Sequence, residues 1–354
     1  MWSLRDNTNY MQSGCLSILD WSAKNAKELL RNFYRKGYNS WKHGVDGKPF
    51  AFVIPEDQGD RRRVAQMINL LMSHRIEVSR ATAEIKVKEG EFPAGSYVVR
   101  LDQPYRNYAV DLLAPQKFPT DTPYEPYDDV SWALPAHYGG EAKRIDDEAI
   151  RQAPLSPLTV DLAVAGRVTG SGPIHLVRDT GQEALLAARF RLSGFRIDVA
   201  ESSFRIGDAE FPAGSFIVPA QRGVREAIEK VAAELGLDFE AVAARPDVAA
   251  HEARIPRLAV WHPWADTESI GWLRYVLDSE RIPYAHIRDE EIRAGNLHAR
   301  YDIILYGNVY LRLKDQIHGI DTRFGPMPYT KTAQFPSHGV PDESDDITGG
   351  IGWN

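Results

Sequence analysis

A single cysteine, Cys15, stands among 354 residues, so the chain can form no internal disulfide and no cysteine-based zinc cluster. No apolar run approaches the roughly 18 residues of a membrane span, and the first residues lack the apolar core of a signal peptide. Lysine and arginine form no long block and the net charge is −7, which gives no electrostatic footprint for nucleic acid or an anionic membrane. The densest basic run, Arg61-Arg62-Arg63, reads as the solvated first turn of a helix. No G-x-S-x-G elbow occurs, so serine hydrolysis lacks support. With 43% hydrophobic and 26% charged residues, the chain has the composition of a folded globular protein, and disorder is not its default.

What is present is a long stretch used twice. Glu91-Phe92-Pro93-Ala94-Gly95-Ser96-Tyr97-Val98-Val99 returns 119 residues later (210 against 91) as Glu210-Phe211-Pro212-Ala213-Gly214-Ser215-Phe216-Ile217-Val218. The same offset sets Ile76-Glu77-Val78-Ser79 against Phe195-Arg196-Ile197-Asp198, so a whole module repeats at a domain-sized period.

In order along the chain, residues 1–36 read as one amphipathic helix ended by Gly37, with Tyr10, Met11, Leu16, Leu19, Phe33 and Tyr34 among its apolar positions and Cys15 as a small buried residue. A strand at 50–55, a helix carrying Val64, Met67, Ile68 and Leu71, and a strand at 76–81 have the order and spacing of a βαβ unit, which predicts a parallel sheet covered by helices. Pro104 suits the start of a helix over 105–113. Between residues 115 and 157 the composition shifts to Pro, Tyr, Asp and Trp, and the aromatics of 124–132 are expected to pack against a domain. The second module has strands at 175–177 and 195–200 and helices at 182–192 and 224–235; the third has strands at 258–262, 284–287 and 301–306 and a helix at 268–277. The predicted fold is therefore α/β, with tandem duplicated modules and parallel-rich sheets preceded by a long helix. Its segments are 1–47, 48–114, the connection 115–157, 158–250 and 251–354. The last residues read as a turn feeding a helix that does not follow, so truncation is expected.

Five residues stand out as binding candidates. His262 and Asp266 follow the first strand of the third module, where open α/β sheets take ligands; Pro263 and Trp264 beside them equally suit a packed loop. Gln103, Tyr105 and Arg106 crowd a strand end and a helix start, where polar groups bind a ligand or satisfy helix-end donors. His74-Arg75-Ile76-Glu77 fits H-x-x-E, a spacing that can offer zinc two ligands, but its counterpart Ser193-Gly194-Phe195-Arg196 has none, and a helix-terminal histidine is the plainer reading. Gly349-Gly350-Ile351-Gly352 could cradle an anion at a helix start.

Several strings together, Trp2-Ser3-Leu4-Arg5-Asp6, Leu29-Leu30-Arg31-Asn32-Phe33-Tyr34 and Phe92-Pro93-Ala94-Gly95-Ser96-Tyr97-Val98-Val99-Arg100-Leu101-Asp102-Gln103-Pro104-Tyr105, resemble the region after the catalytic domain in large bacterial zinc carboxypeptidases of the carboxypeptidase A-like family. In such proteins a peptidase domain precedes modules similar to class I glutamine amidotransferases, which implies Rossmann-like or flavodoxin-like modules here. The resemblance implies zinc-assisted removal of C-terminal residues from peptides as the parent activity, with metal-bound water as nucleophile. The family's zinc ligands and general-base glutamate have no counterpart in this chain. No catalytic residue, metal or cofactor is therefore expected within it, zinc belonging to the peptidase domain. The implied partners are that domain, packed on helix 1–36, and a peptide or small-molecule ligand, and the implied location is outside the cytoplasm. A free-standing module binding a small ligand or glycan is the alternative.

Overall fold

The computed structural model describes residues 2–56, 58, 60–116, 119–123, 133–307, 310–340 and 342–353, and falls into two compact units, residues 1–164 and 165–354. It is a mixed α/β structure with several sheets, and no helix among the described residues is long and apolar enough to cross a membrane. The expectation for residues 124–132 lies outside the described residues.

The first unit begins with helices α1 (Leu4–Lys24) and α2 (Ala26–Asp46), not with one helix ending at Gly37. Ser3 and Asp6 form a reciprocal capping box at the start of α1. The break falls at Asn25, whose side-chain amide donates to the Trp21 carbonyl at 2.8 Å alongside its own backbone N–H at 2.9 Å, a local competition that interrupts the helical ladder. Helix α1 buries none of its residues, and Cys15 is exposed rather than buried, because nothing among the described residues covers its apolar stripe.

Strand β1 (Ala51–Ile54), α3 (Arg61–Ser73), β2 (Ser79–Ala81), β3 (Ile85–Val87), β4 (Gly90–Phe92), β5 (Tyr97–Arg100), α4 (Arg106–Leu113), α5 (Leu134–His137), β6 (Lys143–Ile145) and β7 (Leu155–Pro157) complete this unit. The sheet order is β6-β1-β5-β2-β7 and every pairing is antiparallel, which corrects the expected parallel pair. The crossover from β1 through α3 to β2 exists, but β5 lies between the two strands and runs against both. The turn at Pro93-Ala94-Gly95 returns the chain beside β2, with Gly95 N–H on the Ala81 carbonyl and Ala81 N–H on the Ser96 carbonyl, each at 2.8 Å. Both faces of the sheet are buried: Phe52, Ile54 and Val99 face α3 and α4, while Ala51, Val53 and Val98 face the β3–β4 hairpin side with Ile145 and Ile150. Two-sided burial is why these strands read as continuous apolar runs. The segment expected as a connection supplies both outer strands, β6 and β7.

The second unit contains β8 (Val168–Gly170), β9 (Ile174–Val177), α6 (Glu183–Arg191), β10 (Asp198–Ala200), β11 (Phe204–Ile206), β12 (Ala209–Phe211), β13 (Phe216–Val218), α7 (Val224–Leu235), β14 (Phe239–Val242) and β15 (Ala250–Glu252). Their sheet, β15-β10-β13-β9-β14-β8, is also mainly antiparallel, with β14–β8 as its parallel pair. Here too an inserted strand, β13, separates β9 from β10. After these come β16 (Leu258–Trp261), α8 (Glu268–Ser279), β17 (Ala285–Ile287), α9 (Asp289–Arg293), α10 (Leu297–Arg300), β18 (Ile303–Tyr306) and α11 (Leu313–His318). This third sheet, β17-β16-β18, is parallel throughout, as expected for the third module. Val260 packs with Ile270 and Leu277 of α8, and Ala259, Trp261 and Ile287 point to the opposite face.

Candidate functional site on the parallel sheet

A histidine–aspartate cluster forms where strands β16 and β17 approach their carboxyl ends, the edge at which open α/β sheets take ligands. His286 sits opposite Val260 in the parallel register, and His262 follows two residues after Val260, so strand alternation puts both imidazoles on the α8 face. Their rings stack with centroids 5.0 Å apart and planes 15° apart. Asp342, from the C-terminal segment, reaches the same place: its Oδ1 lies 2.6 Å from His286 Nδ1 and its Oδ2 accepts from Arg274 Nη1 of α8 at 2.6 Å. Arg274 also donates from Nε to the Tyr284 hydroxyl at 3.3 Å, which itself donates to Asp278 at 3.1 Å. Arg288 donates to the Glu343 carbonyl and the Ser344 hydroxyl bonds Glu290, so α9 clamps the segment that delivers Asp342.

Burial is the largest influence on the histidines. It pushes both imidazoles below the ordinary histidine value, and for His286 it outweighs the adjacent Asp342 carboxylate. Burial pushes Asp342 upward, but its bonds to Arg274 and His286 prevail and hold it below the usual carboxylate range. At neutral pH the cluster therefore holds two neutral imidazoles, one carboxylate and one guanidinium. The tautomers follow from the acceptors. His262 Nδ1 faces the Pro263 carbonyl at 3.1 Å and must carry the proton there; His286 Nδ1 donates to the ionised Asp342. In both rings Nε2 is left with the lone pair, able to take a proton or a metal ion. Asp289 is 2% exposed, with Trp261 Nε1 donating to it at 2.9 Å, and burial pushes its carboxyl up to about 6.

Of the five candidates, the structure brings His262 into this cluster and leaves the others outside it. Asp266 instead accepts the Tyr310 N–H at 2.8 Å and pins a loop. Gln103 is 2% exposed and its amide is spent on the backbone: Oε1 accepts Glu77 N–H at 2.8 Å, while Nε2 donates to Glu77 O at 3.1 Å and to Arg100 O. Tyr105 caps α4 beside an apolar cleft of about 650 Å³ lined by Phe33, Tyr38, Trp41 and Tyr108. Arg106 donates to Asn107 at 2.9 Å and to the Lys48 carbonyl at 3.2 Å. His74 ends α3 with its ring against Tyr108, Nδ1 lying 3.3 Å from the hydroxyl, in the helix-terminal role expected for it. The glycine run folds onto the end of α11, with N–H groups of Gly349, Ile351 and Gly352 committed to carbonyls of Ile320, Gln316 and Ile317, so it is no anion cradle.

The Gln103 bonds give a first prediction. Gln103→Met should cost about 2–3 kcal/mol, because it removes the partner of the part-buried Glu77 N–H and C=O and leaves them unpaired beneath a buried side chain. Gln221 makes the same pair of bonds to Arg196, at 2.8 and 2.9 Å, from a half-exposed position, so Gln221→Met should cost less. Equal losses in urea denaturation would contradict this account.

The sequence reading missed His286, Arg274 and Asp342. A polar residue in the short buried strand 284–287 was the available signal for His286; Asp342 had none, being 56 residues away from it. No family profile, curated protein or solved structure matches this chain.

Proposed function

We propose that this chain is a non-catalytic region of a protein resembling zinc metallocarboxypeptidases, in which a peptidase domain docks on the face formed by α1 and α2 and performs the zinc-dependent removal of C-terminal residues. The observation that carries this reading is the uncovered apolar surface of those helices: Tyr10, Met11, Leu16, Leu19, Phe33 and Tyr34 are all more than half exposed, Leu16 being the least exposed of them at 59%. Water contact over so much apolar area is unfavourable by about 25 cal/mol per Å², and an exposed stripe of this extent marks an interaction surface. The tandem duplication is supported by the Gln103 and Gln221 bonds and by the inserted strands β5 and β13. The strand order β17-β16-β18, with α8 between the first two in sequence, supports an amidotransferase-like, doubly wound third module. The cluster around His262 favours a second reading, a small-ligand-binding α/β module, and the two are compatible.

Mixing the chain with a separately expressed carboxypeptidase A-like catalytic domain tests the first reading. Sedimentation should show a one-to-one complex that Leu16→Asp with Phe33→Asp abolishes. Absence of a complex, or chelator-sensitive hydrolysis of a blocked dipeptide by this chain alone, would overturn it.

A further inference from the structure

We propose that His262 and His286 form a binding site for a divalent transition-metal ion of the zinc type, coordinated through the Nε2 atoms of the two imidazoles, with Asp342 as the outer carboxylate that orients His286. The inference is independent of the peptidase reading, since these residues belong to the third module and carry none of that family's motifs.

Three observations converge. One donor atom from each of His262, His286 and Asp342 lies within 4.8 Å of the other two. Each histidine has its Nδ1–H held by an oxygen, a backbone carbonyl for His262 and a carboxylate for His286, which is how metal-ligating histidines are held in the correct tautomer and orientation. Finally, His286 Nε2 is buried and has no hydrogen-bond partner. A buried nitrogen lone pair is unfavourable unless something occupies it, and a cation would satisfy it. Arg274 braces Asp342 from the other side at 2.6 Å, which fixes the carboxylate that holds the His286 ring through Nδ1.

The rings lie nearly parallel, and donors around one zinc stand about 2.0–2.1 Å from the metal, so the imidazoles must tilt toward each other on binding. The terminal torsion of histidine is broad and allows this. Two imidazoles leave further positions of the ion for water or an external ligand. Imidazole donors select zinc, copper, nickel and cobalt over magnesium and calcium, which prefer all-oxygen sites.

Titration of the whole chain with Co²⁺, read by visible absorption, should give one tight equivalent that Zn²⁺ displaces and that excess Mg²⁺ or Ca²⁺ does not. Asp342→Asn should weaken binding by about 10- to 100-fold, and His262→Ala or His286→Ala by more than that. Unchanged affinity in both alanine variants would place the metal on other histidines and overturn the proposal, as would displacement by Mg²⁺. If either alanine variant fails to fold by circular dichroism, X-ray absorption of the zinc-loaded wild-type chain decides: two imidazoles per zinc are expected, and one or none overturns it.

Discussion

Replacing Asp289 with asparagine is expected to stabilise the second unit at pH 7, by up to about 3 kcal/mol. The carboxyl is buried beside Trp261, and burial raises it from 3.8 to about 6 against the opposing pull of the Trp261 N–H and Arg293. The sign follows from proton counting. Below pH 3.8 folded and unfolded chains both carry the proton, and Asp289 adds no penalty. Between 3.8 and about 6 the unfolded chain loses the proton while the native chain keeps it, so native stability falls by about 1.4 kcal/mol per pH unit. Above that window the penalty is constant. Asparagine keeps the shape and an oxygen to accept from Trp261, and it removes the ionisation. Urea denaturation of both proteins should therefore show a stability difference near zero at pH 4 that grows until about pH 6. A difference independent of pH would sink this account.

Gly44→Ala is expected to unseat α2, with a loss of about 3 kcal/mol in the first unit. A Cβ on Gly44 would stand 1.7 Å from the Leu101 carbonyl oxygen and 2.4 Å from its carbon, and these are backbone atoms that cannot rotate aside. Leu101 is fully buried in the core beneath α4, so yielding on that side would disturb β5 and its neighbours. The helix would have to lift, and the Arg151 bond to the Gly44 carbonyl at 3.1 Å would be lost with it. Gly14 is the internal control. It also lies in a helix, but a Cβ there meets nothing within 4 Å, so Gly14→Ala should gain about 0.5–1 kcal/mol from helix propensity alone. Thermal unfolding of the two variants should move in opposite directions; a loss in both would mean that the glycines act through something other than clearance.

Local pattern carried much of the secondary structure. The helix expected over 224–235 is observed as Val224–Leu235, because its apolar spacing is closed by Gly236 in the left-handed region. The position of His262 at a strand end was legible for the same reason: the apolar run 258–261 stops there, and strand ends in α/β sheets are where ligands are met. Strand direction was not legible. Helical and strand periods record which side of an element is buried, and they are identical whether β1 and β2 are adjacent or have β5 between them.

The sequence by itself determined the recurring Glu-Phe-Pro-Ala-Gly-Ser string, many of the helices and strands around it and the apolar character of α1 and α2, because these depend on residue type and spacing along the chain. Tertiary structure decided the insertion of β5 and β13, the exposure of the α1 face, and the meeting of His262, His286, Arg274 and Asp342. Those outcomes depend on which surfaces find a partner in space, and a side chain 56 residues away contributes no local pattern from which such a meeting could be read.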